Sequence, residues 1–462
     1  MGFASLRDVR AALLPTPKMW RPRSLWLTSL AVCFAAYLLT AHYTLRVNDT
    51  DATNWPAWWF VRHGTFFLDG FHSNNPWFVH AGVHIVSNRM GGVILFGLPM
   101  QAVFMGMYVS ANAVGALTAA LTTSIAMANM AVVFRRLEAT VGLALGATAC
   151  LALGTGMWTV SSTELWTHTA NVFWLSCALL ALTYNRTLVA GILVAPVIPT
   201  RPHLVVVIAI LGLWLALHRR SWRVLLHFAV PALVSLAGLL AWNTYMYGTS
   251  TIGGGYAGHE NALTGSTGTL WPFIRDIAGT VGSPLRGIIL YTPLIVIAAL
   301  CIPAGWRRAP DWAKATFVGG FVYQVVQLRL NRYSGGTAFY SNRLVLEMFL
   351  LATPLVVLGY KDWRERSPHR ATVTRALTAA SIGIHALGAF LPRTYFFPHE
   401  QHWTTWGPVA AVRYETGPAI AIIVATVIAG TVVTVWPLLR RRTALAAEPA
   451  PAFAAAGAVT PG

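Results

Sequence analysis

The amino-acid sequence predicts an all-α polytopic membrane protein with about twelve transmembrane helices. Of its 462 residues, 56% are hydrophobic and only 10% are charged, and the mean hydropathy is +0.57. Soluble domains carry about 25% charged residues. Several apolar stretches approach or exceed the length of about 20 residues that a helix needs to cross a bilayer. We therefore expect a bundle of spanning helices and no separate soluble domain.

The apolar stretches define the expected spans in chain order. Each is a continuous apolar run, as expected for a buried or lipid-facing helix. The stretch 188–198 is short, and Pro199 and Pro202 after it predict a broken or tilted hairpin with the next span. The expected spans are 24–43, 113–134, 141–158, 170–184, 188–198, 204–217, 224–242, 288–302, 315–328, 344–360, 376–391 and 419–439.

The apolar stretch 91–108 is long enough to cross, but the distribution of basic residues opposes a crossing. If it does not cross, the Arg-rich loops lie on the side of the basic N-terminus, as the positive-inside rule requires. We therefore expect 91–108 to be an interfacial helix on the outer surface. Both termini are then cytoplasmic, with a cytoplasmic segment at 1–23, a transmembrane domain at 24–439 and a disordered tail at 440–462.

This topology places three long loops outside the membrane, at 44–112, 243–287 and 392–418, with a shorter polar loop at 329–343. The formal net charge of +18 follows from Lys and Arg in cytoplasmic loops. No basic patch with interleaved aromatic residues lies in a soluble segment, so nucleic-acid binding is not expected. The four cysteines fall in apolar segments and are typical of small buried side chains.

Asp49 and Asp51 follow the first span directly, in a chain with only 15 acidic residues. One acid could cap a short amphipathic helix that begins there. Capping needs only one acid, so the second carboxylate leaves a functional role open. The interpretation as a helix cap and the interpretation as a catalytic acid pair both remain at this point.

Several outer arginines lie close to the ends of apolar segments, where a guanidinium needs a partner or must reach the headgroups. Arg286 lies in "GSPLRGIILYTP", and Arg332 and Arg343 lie in "RLNRYSGGTAFYSNR". They could extend to lipid headgroups, or they could hold an anionic phosphate, which a guanidinium binds with two parallel hydrogen bonds. Glu347 lies four residues after Arg343, which predicts an ion pair on one helix face.

The stretch "SSTELWTHTAN" brings Glu164, Trp166 and His168 to an outer helix junction. An aromatic face with polar edges suits a sugar, and it equally suits an aromatic belt at the membrane interface. His80 and His84 have the i, i+4 spacing of a metal pair on a helix, but no HExxH carboxylate accompanies them. The sequence contains no P-loop, no dinucleotide fingerprint and no nucleophile-elbow serine.

Taken in order, four motifs resemble the GT-C superfamily of membrane glycosyltransferases, in a bacterial branch similar to the dolichyl-phosphate-mannose protein mannosyltransferases. They are Asp49-Thr50 followed by Leu68-Asp69; "LWTH" at 165–168; "SPLRG" at 283–287 followed by Tyr291 and Pro293; and Gly335-Gly336 followed by Arg343. The stretch at 87–92, "SNRMGG", departs from the branch, which usually has Tyr-Pro-Pro-Gly there. The stretch after Gly335 is rich in Tyr where the branch is rich in Trp.

The resemblance implies a GT-C-like fold, with interfacial helices in the first outer loop, and a polyprenyl-phosphate sugar as donor. Asp49 would be the general base in a single inverting step, with Asp51 as the alternate base. Arg286, Arg343 and Arg332 would hold the donor phosphate. No cofactor is required, although a divalent metal is compatible. The residues implied for the sugar or acceptor wall are Trp166, His168, Glu164 and Tyr340.

The acceptor implied is a cell-envelope glycan or glycolipid on the outer face of the plasma membrane. High Ala, Arg, Trp and Gly content with little Lys is typical of GC-rich bacteria such as actinobacteria, which favours cell-wall biogenesis with a decaprenyl-phosphate arabinofuranose or mannose donor. Two alternatives remain: a transporter or flippase of lipid-linked sugars, and a glycan polymerase or ligase. Transporters commonly place ionisable groups near the bilayer midplane.

Overall fold

The computed structural model describes residues 22–45, 47–256, 270–331, 339–391 and 406–446. These segments are predominantly helical. The first apolar run forms α1 (Pro22–Thr40), and α2 (Asn48–His63) follows it across a short connection. Next come a hairpin of β1 (Phe78–Ala81) and β2 (His84–Ser87) and then helix α3 (Gly91–Val103).

The middle of the chain alternates long and short helices. The prolines between residues 195 and 204 divide the expected 188–198 span into short pieces, as their missing N–H groups predict. A π-helix, Met157–Ser161, follows the helix Val141–Leu153. The helices of this part are α4 (Ala111–Arg136), α5 (Val141–Leu153), α6 (Thr167–Thr183), α7 (Thr187–Val194), α8 (Val197–Thr200), α9 (Val205–His218) and α10 (Trp222–Tyr247), with a 3-10 turn at Pro202–Leu204.

A 3-10 turn, Gly254–Tyr256, and eight further helices complete the described chain. The helices are α11 (Leu270–Gly282), α12 (Ile288–Tyr291), α13 (Ile295–Arg308), α14 (Asp311–Leu330), α15 (Leu346–Glu365), α16 (Pro368–Phe390), α17 (Gly407–Tyr414) and α18 (Thr416–Ala446).

Helices occupy most of every expected span, but the number of crossings stays a prediction. By length and composition, five helices of the described chain could each cross a membrane: Pro22–Thr40, Ala111–Arg136, Trp222–Tyr247, His369–Phe390 and Thr416–Val435. Several others are apolar but shorter, among them α3 with 13 residues. Such a helix is about 20 Å long, which is less than the hydrocarbon thickness. An interfacial position for α3 therefore stays compatible with its length.

The structure excludes the helical pair of His80 and His84 that the sequence already disfavoured, and it moves the end of one helix. His80 and His84 do not share a helix face: they lie on opposite strands of the hairpin, where His80 is opposite Ile85 and His84 is opposite Ala81. The tail does not begin at 440, because α18 continues to Ala446. Alanine and arginine have high helix propensity, which accounts for this extension. Residues 447–462 of the expected tail, 1–21 of the cytoplasmic segment and 392–405 of the last outer loop lie outside the described residues.

The core consists of helix pairs in close contact. α1 packs on α4, α4 on α6, α9 on α14 and α13 on α15. Between α13 and α15, a Cβ atom at Gly305 would overlap the Leu355 carbonyl, and one at Gly359 would overlap the Cys301 carbonyl. Small residues that let backbones approach are the usual basis of helix packing in membranes. These contacts fix the second half of α15 against α13.

Candidate active site

Asp49 lies in the first turn of α2, directly after the first span. Val47 occupies the N-cap position with extended backbone, and α2 has no side-chain cap hydrogen bond. The carboxylate of Asp49 is thus not a helix cap. It is bound by two arginines from distant parts of the chain: Arg89 Nη2 lies 3.0 Å from Oδ1, and Arg343 Nη1 lies 2.8 Å from Oδ2.

Arg89 comes from the connection between β2 and α3, in the stretch that departs from the resembled family. Its side chain is largely buried, and its guanidinium lies 4.4 Å from the centre of the Trp77 ring. The Trp77 side chain also helps to lower the pKa of the Asp49 carboxyl. The hairpin thus supplies both a cation and an aromatic face to the carboxylate.

Arg343 comes from the loop before α15 and meets two more aromatic rings. Its guanidinium lies 4.8 Å from the Trp166 ring centre and 4.5 Å from that of Phe339. Trp166 is 4% exposed, and its ring meets the Phe339 ring edge-to-face. A guanidinium stacked on aromatic faces keeps its edge N–H groups available for an oxyanion.

Arg286 shares the Phe339 ring with Arg343. The Arg286 guanidinium lies 4.1 Å from the Phe339 ring centre, and the residue is 3% exposed. Asn342 fixes this segment, because its Nδ2 donates to the Arg286 carbonyl at 3.0 Å. Two of the arginines expected to bind phosphate are therefore neighbours, although they are 57 positions apart in the sequence.

The charges in this cluster determine the ionisation of Asp49. Burial alone raises the pKa of the Asp49 carboxyl, but the positive charges of Arg89 and Arg343, the hydrogen bond from Arg343 and the Trp77 side chain outweigh burial and hold that pKa below its ordinary value. Burial also lowers the pKa of Arg343, an effect that Asp49 opposes. Asp49 is consequently an anion at neutral pH.

Asp51 points to a different neighbour. Asn112 at the start of α4 donates its Nδ2 to Asp51 Oδ1, and Asn54 Nδ2 donates to Asn112 Oδ1 at 3.1 Å. This pairing joins α2 to α4. The two adjacent acids are thus divided between an arginine cluster and a helix–helix contact.

Glu164 lies against the same turn of α2. Thr50 Oγ1 donates to Glu164 Oε2, and His42 Nδ1 lies 3.6 Å from Oε1. Glu164 is 4% exposed, and burial raises the pKa of its carboxyl above the ordinary value. Glu164 is therefore a neighbour of the Asp49 turn, and the contacts described here do not join it to the arginines.

His168 and Glu347 form a buried pair, which overturns the expected pairing of Glu347 with Arg343. His168 Nδ1 lies 2.9 Å from Glu347 Oε1, and Asn171 Nδ2 donates to the same oxygen at 2.9 Å. α15 begins only at Leu346, so Arg343 does not share a helix face with Glu347 and reaches Asp49 instead.

Tyr340 and Arg332 complete the expected set. Tyr340 is 1% exposed and packs edge-to-face on Tyr291, with ring centres 5.2 Å apart. It belongs to an apolar cluster with Leu387 and Leu391. Arg332, with Gly335 and Gly336 of the fourth motif, lies outside the described residues.

Sequence reasoning missed three members of the cluster: Arg89, Trp77 and Phe339. The signal for Arg89 was present, since a basic residue directly precedes an apolar segment of an outer loop and needs a partner there. Nothing in the spacing distinguishes Trp77 from the other tryptophans of that loop. Phe339 lies in the aromatic stretch before Arg343, where only the folded chain shows which ring meets the arginines.

The cluster as arranged does not fit a divalent metal. Each oxygen of Asp49 contacts a guanidinium, and two positive charges at this distance oppose a further cation. In the described segments, no group of three or more His, Cys, Asp and Glu side chains could hold a metal ion. Asp69, the acid of the second motif element, binds His84 Nδ1 at 2.6 Å and the Ile85 amide, which fixes the hairpin.

No protein-family model matches the chain, and no curated protein matches it. Among solved structures, the chain is similar to the oligosaccharyltransferase of Archaeoglobus fulgidus in its apo form, with 13% sequence identity and a TM-score of 0.45. The similarity covers 82% of this chain and 56% of that one, so this chain spans little more than half the length of that enzyme.

Proposed function

We propose that the protein is a membrane glycosyltransferase that moves a sugar from a polyprenyl-phosphate donor to a cell-envelope glycan or lipid acceptor on the outer face of the plasma membrane. The observation that carries the proposal is the position of Asp49 between Arg89 and Arg343, directly after the first span. A base beside cations at the end of a membrane helix is the arrangement that a lipid-phosphate donor requires. The order of the four sequence motifs supports the same reaction class.

Asp49 is the base in this reaction. It accepts the proton of an acceptor hydroxyl as that oxygen forms a bond to the anomeric carbon of the sugar. The bond between the anomeric carbon and the phosphate oxygen breaks, and the electron pair leaves with the phosphate. A single displacement inverts the anomeric configuration.

The arginines stabilise the leaving group. The polyprenyl phosphate gains negative charge as the glycosidic bond breaks, and preorganised guanidinium groups lower the energy of that charge. Arg343 and Arg286 both lie over Phe339, and Arg89 lies over Trp77. Their aromatic supports fix the direction of the guanidinium planes before the donor arrives.

Without donor, Asp49 and the arginines neutralise one another. A donor phosphate offers Arg89 and Arg343 a second anionic partner. When the two guanidinium groups bind the phosphate in place of Asp49, the Asp49 oxygens become available to the acceptor hydroxyl. Donor binding thereby releases the base, and the acceptor hydroxyl loses its proton only when a donor is bound.

The test is envelope-glycan composition in a deletion strain complemented with wild type, Asp49→Asn or Asp51→Asn. We expect the deletion to lose one sugar linkage and wild type to restore it. Asp49→Asn should restore less than about 1% of it, the size of a general-base contribution. Asp51→Asn, two residues away and equally conservative, should restore the linkage, because Asp51 accepts a hydrogen bond from Asn112 in the contact between α2 and α4; loss of the linkage in Asp51→Asn alone would make Asp51 the base. Full restoration by Asp49→Asn, with normal protein abundance, would refute the role of Asp49.

One observation favours a second candidate, a transporter or flippase of lipid-linked sugars. His168 and Glu347 are 1% and 0% exposed, and buried ionisable groups inside a helical membrane protein commonly mark transport pathways. In that case purified protein in liposomes would move a lipid-linked sugar between leaflets without any acceptor. The proposed transferase would leave the sugar on its lipid until an acceptor is added.

A further inference from the structure

Ser341 has an unusual backbone conformation next to the arginine cluster. Its φ is +63°, in the left-handed region that few residues other than glycine adopt. It lies two residues before Arg343 and two after Phe339, and it is 1% exposed. Strained backbone persists only where surrounding structure holds it, and it is common at functional sites.

The structure that holds Ser341 is itself irregular. The Ser341 hydroxyl lies 3.2 Å from Thr159 Oγ1, and Thr159 belongs to the π-helix Met157–Ser161. π-helical turns are rare and occur frequently at functional sites. Gly156 before this turn leaves no spare room, since a Cβ atom there would lie 3.1 Å from the Ser341 hydroxyl.

A buried histidine extends this contact to two more helical segments. His385 on α16 places Nδ1 3.2 Å from Thr159 Oγ1 and Nε2 3.0 Å from the hydroxyl of Thr292, just after α12. His385 and Thr159 are both 0% exposed. The Ser341 turn is thus tied through hydroxyl and imidazole groups to the π-helix, α12 and α16.

The Ser341 turn leads directly into Arg343 and contacts the segment that carries Arg286. Asn342 donates to the Arg286 carbonyl, and Arg343 reaches Asp49. Because Ser341 sets the direction in which residues 342 and 343 leave the turn, a change in its φ moves both arginine contacts together. Phe339, on the other side of the turn, moves with them.

We propose that Ser341 and Thr159 are positioning residues that hold Arg343 and Arg286 at the separation and orientation needed for the donor phosphate. This inference rests on the proposed function for the identity of the ligand, but its structural part does not. The left-handed turn supplies the direction of the chain, and the Thr159 hydroxyl holds the turn in place.

The first experiment needs no substrate. In purified full-length protein, the thermal midpoints of Asp49→Asn, Arg343→Gln and the double variant measure the coupling of that ion pair. The same cycle is repeated with Ser341→Ala, which keeps the cost of positive φ but loses the hydroxyl that contacts Thr159, and with Ser341→Gly, which loses the hydroxyl but accepts positive φ without cost. We expect the changes in thermal midpoint caused by Asp49→Asn and Arg343→Gln to depart from additivity by about 3 °C in the wild-type background and in the Ser341→Gly background. In the Ser341→Ala background the two changes should add.

The second experiment measures binding of a polyprenyl monophosphate in detergent by tryptophan fluorescence. Ser341→Ala should weaken binding about tenfold, and Ser341→Gly should recover most of it. Thr159→Val, which lacks the hydroxyl, should weaken binding, and Thr159→Ser, which keeps it, should not. Ser235→Ala is the control for loss of a hydrogen-bonded hydroxyl, because the half-buried Ser235 hydroxyl donates to the Ala195 carbonyl far from the arginine cluster in the sequence.

The outcomes separate the inference from the proposed function. Coupling that persists in Ser341→Ala, or binding that is equal in the alanine and glycine variants, overturns the positioning role. If the coupling disappears as expected but wild type binds no polyprenyl phosphate, the positioning role stands and the proposed donor is wrong. A loss of thermal midpoint in Ser341→Ala with unchanged coupling and binding identifies a structural residue only.

Discussion

Arg343 and Asp49 are 294 residues apart in the sequence, and their side chains are 2.8 Å apart in the fold. The pair joins the first outer loop to the loop before α15, and Arg89 adds a third segment on the other carboxylate oxygen. A junction of three segments brings the proposed base and the proposed phosphate ligands together only when all three segments have folded. Its parts can be tested one at a time.

Replacement of Arg343 by Lys should impair donor use although the positive charge remains. An ammonium lacks the planar fork and stacks less well on Trp166 and Phe339. We expect KM for the donor to rise about 10- to 100-fold, the value of a charged hydrogen bond and its stacking. Arg308→Lys is the matched control, because Arg308 at the end of α13 pairs with Asp362 of α15. Equal effects of the two variants in donor-dependent transfer assays would contradict the assignment.

Replacement of Arg89 by Gln should shift the acid limb of the pH–rate profile. The proposed base Asp49 can accept a proton only when it is ionised, so we expect activity above its pKa and loss of activity as pH falls through that pKa. The charge of Arg89 helps to hold that pKa below its ordinary value. Without Arg89 the pKa rises, and the acid limb should move to higher pH in kcat/KM measurements. An unchanged profile would mean that another group titrates.

Loss of the Glu347 carboxylate should destabilise the protein without direct loss of a site residue. Glu347→Ala leaves buried His168 and Asn171 without their partner, which costs about 3–5 kcal/mol for a buried pair. Glu347→Gln keeps a hydrogen-bonding oxygen and should cost less. Thermal unfolding in detergent measures both, with Glu365→Gln at the exposed end of α15 as the control. If Glu365→Gln lowered the thermal midpoint as much as Glu347→Ala, the loss of negative charge in general, and not the loss of the buried pair, would explain the destabilisation.

Gly305→Ala should separate α13 from α15. The added methyl group would overlap the Leu355 carbonyl, so we expect a loss of about 1–3 kcal/mol from forced repacking. Gly146→Ala in α5 has open space around the new methyl group and should be neutral or slightly stabilising, since alanine favours helices. Equal midpoints for the two variants would show that α13 and α15 can adjust at no cost.

The sequence predicts the helices well because apolar continuity determines them. It fails at the hairpin, because four-residue strands are too short for their alternation to stand out and the spacing of His80 and His84 also suits a helix. It fails at Glu347 because the pairing with Arg343 assumed a helix that begins at 344 and not at Leu346.

The candidate site also contains residues that the sequence indicates and residues that only the fold reveals. Asp49 became a candidate because the resembled family has an acid after its first span, and Arg286 and Arg343 because arginine near lipid requires a partner; their roles stay predictions. Arg89 could not be assigned, since its partner lies 40 residues earlier and only the hairpin brings the two together. Long-range ion pairs depend on the tertiary fold, and no local pattern specifies them.

The broken segment between residues 187 and 204 bears on how the protein enters the bilayer. α7 has eight residues and α8 has four, and each is too short to bury its own backbone polar groups across the hydrocarbon. Both pack on α10 and on α6. A translocon that releases helices one by one would offer this segment α6 before α10 is made, so one side of each short helix would lack its partner. We expect residues 187–247 to enter the membrane as one unit during synthesis, with the two short helices settling only after α10 has emerged from the ribosome.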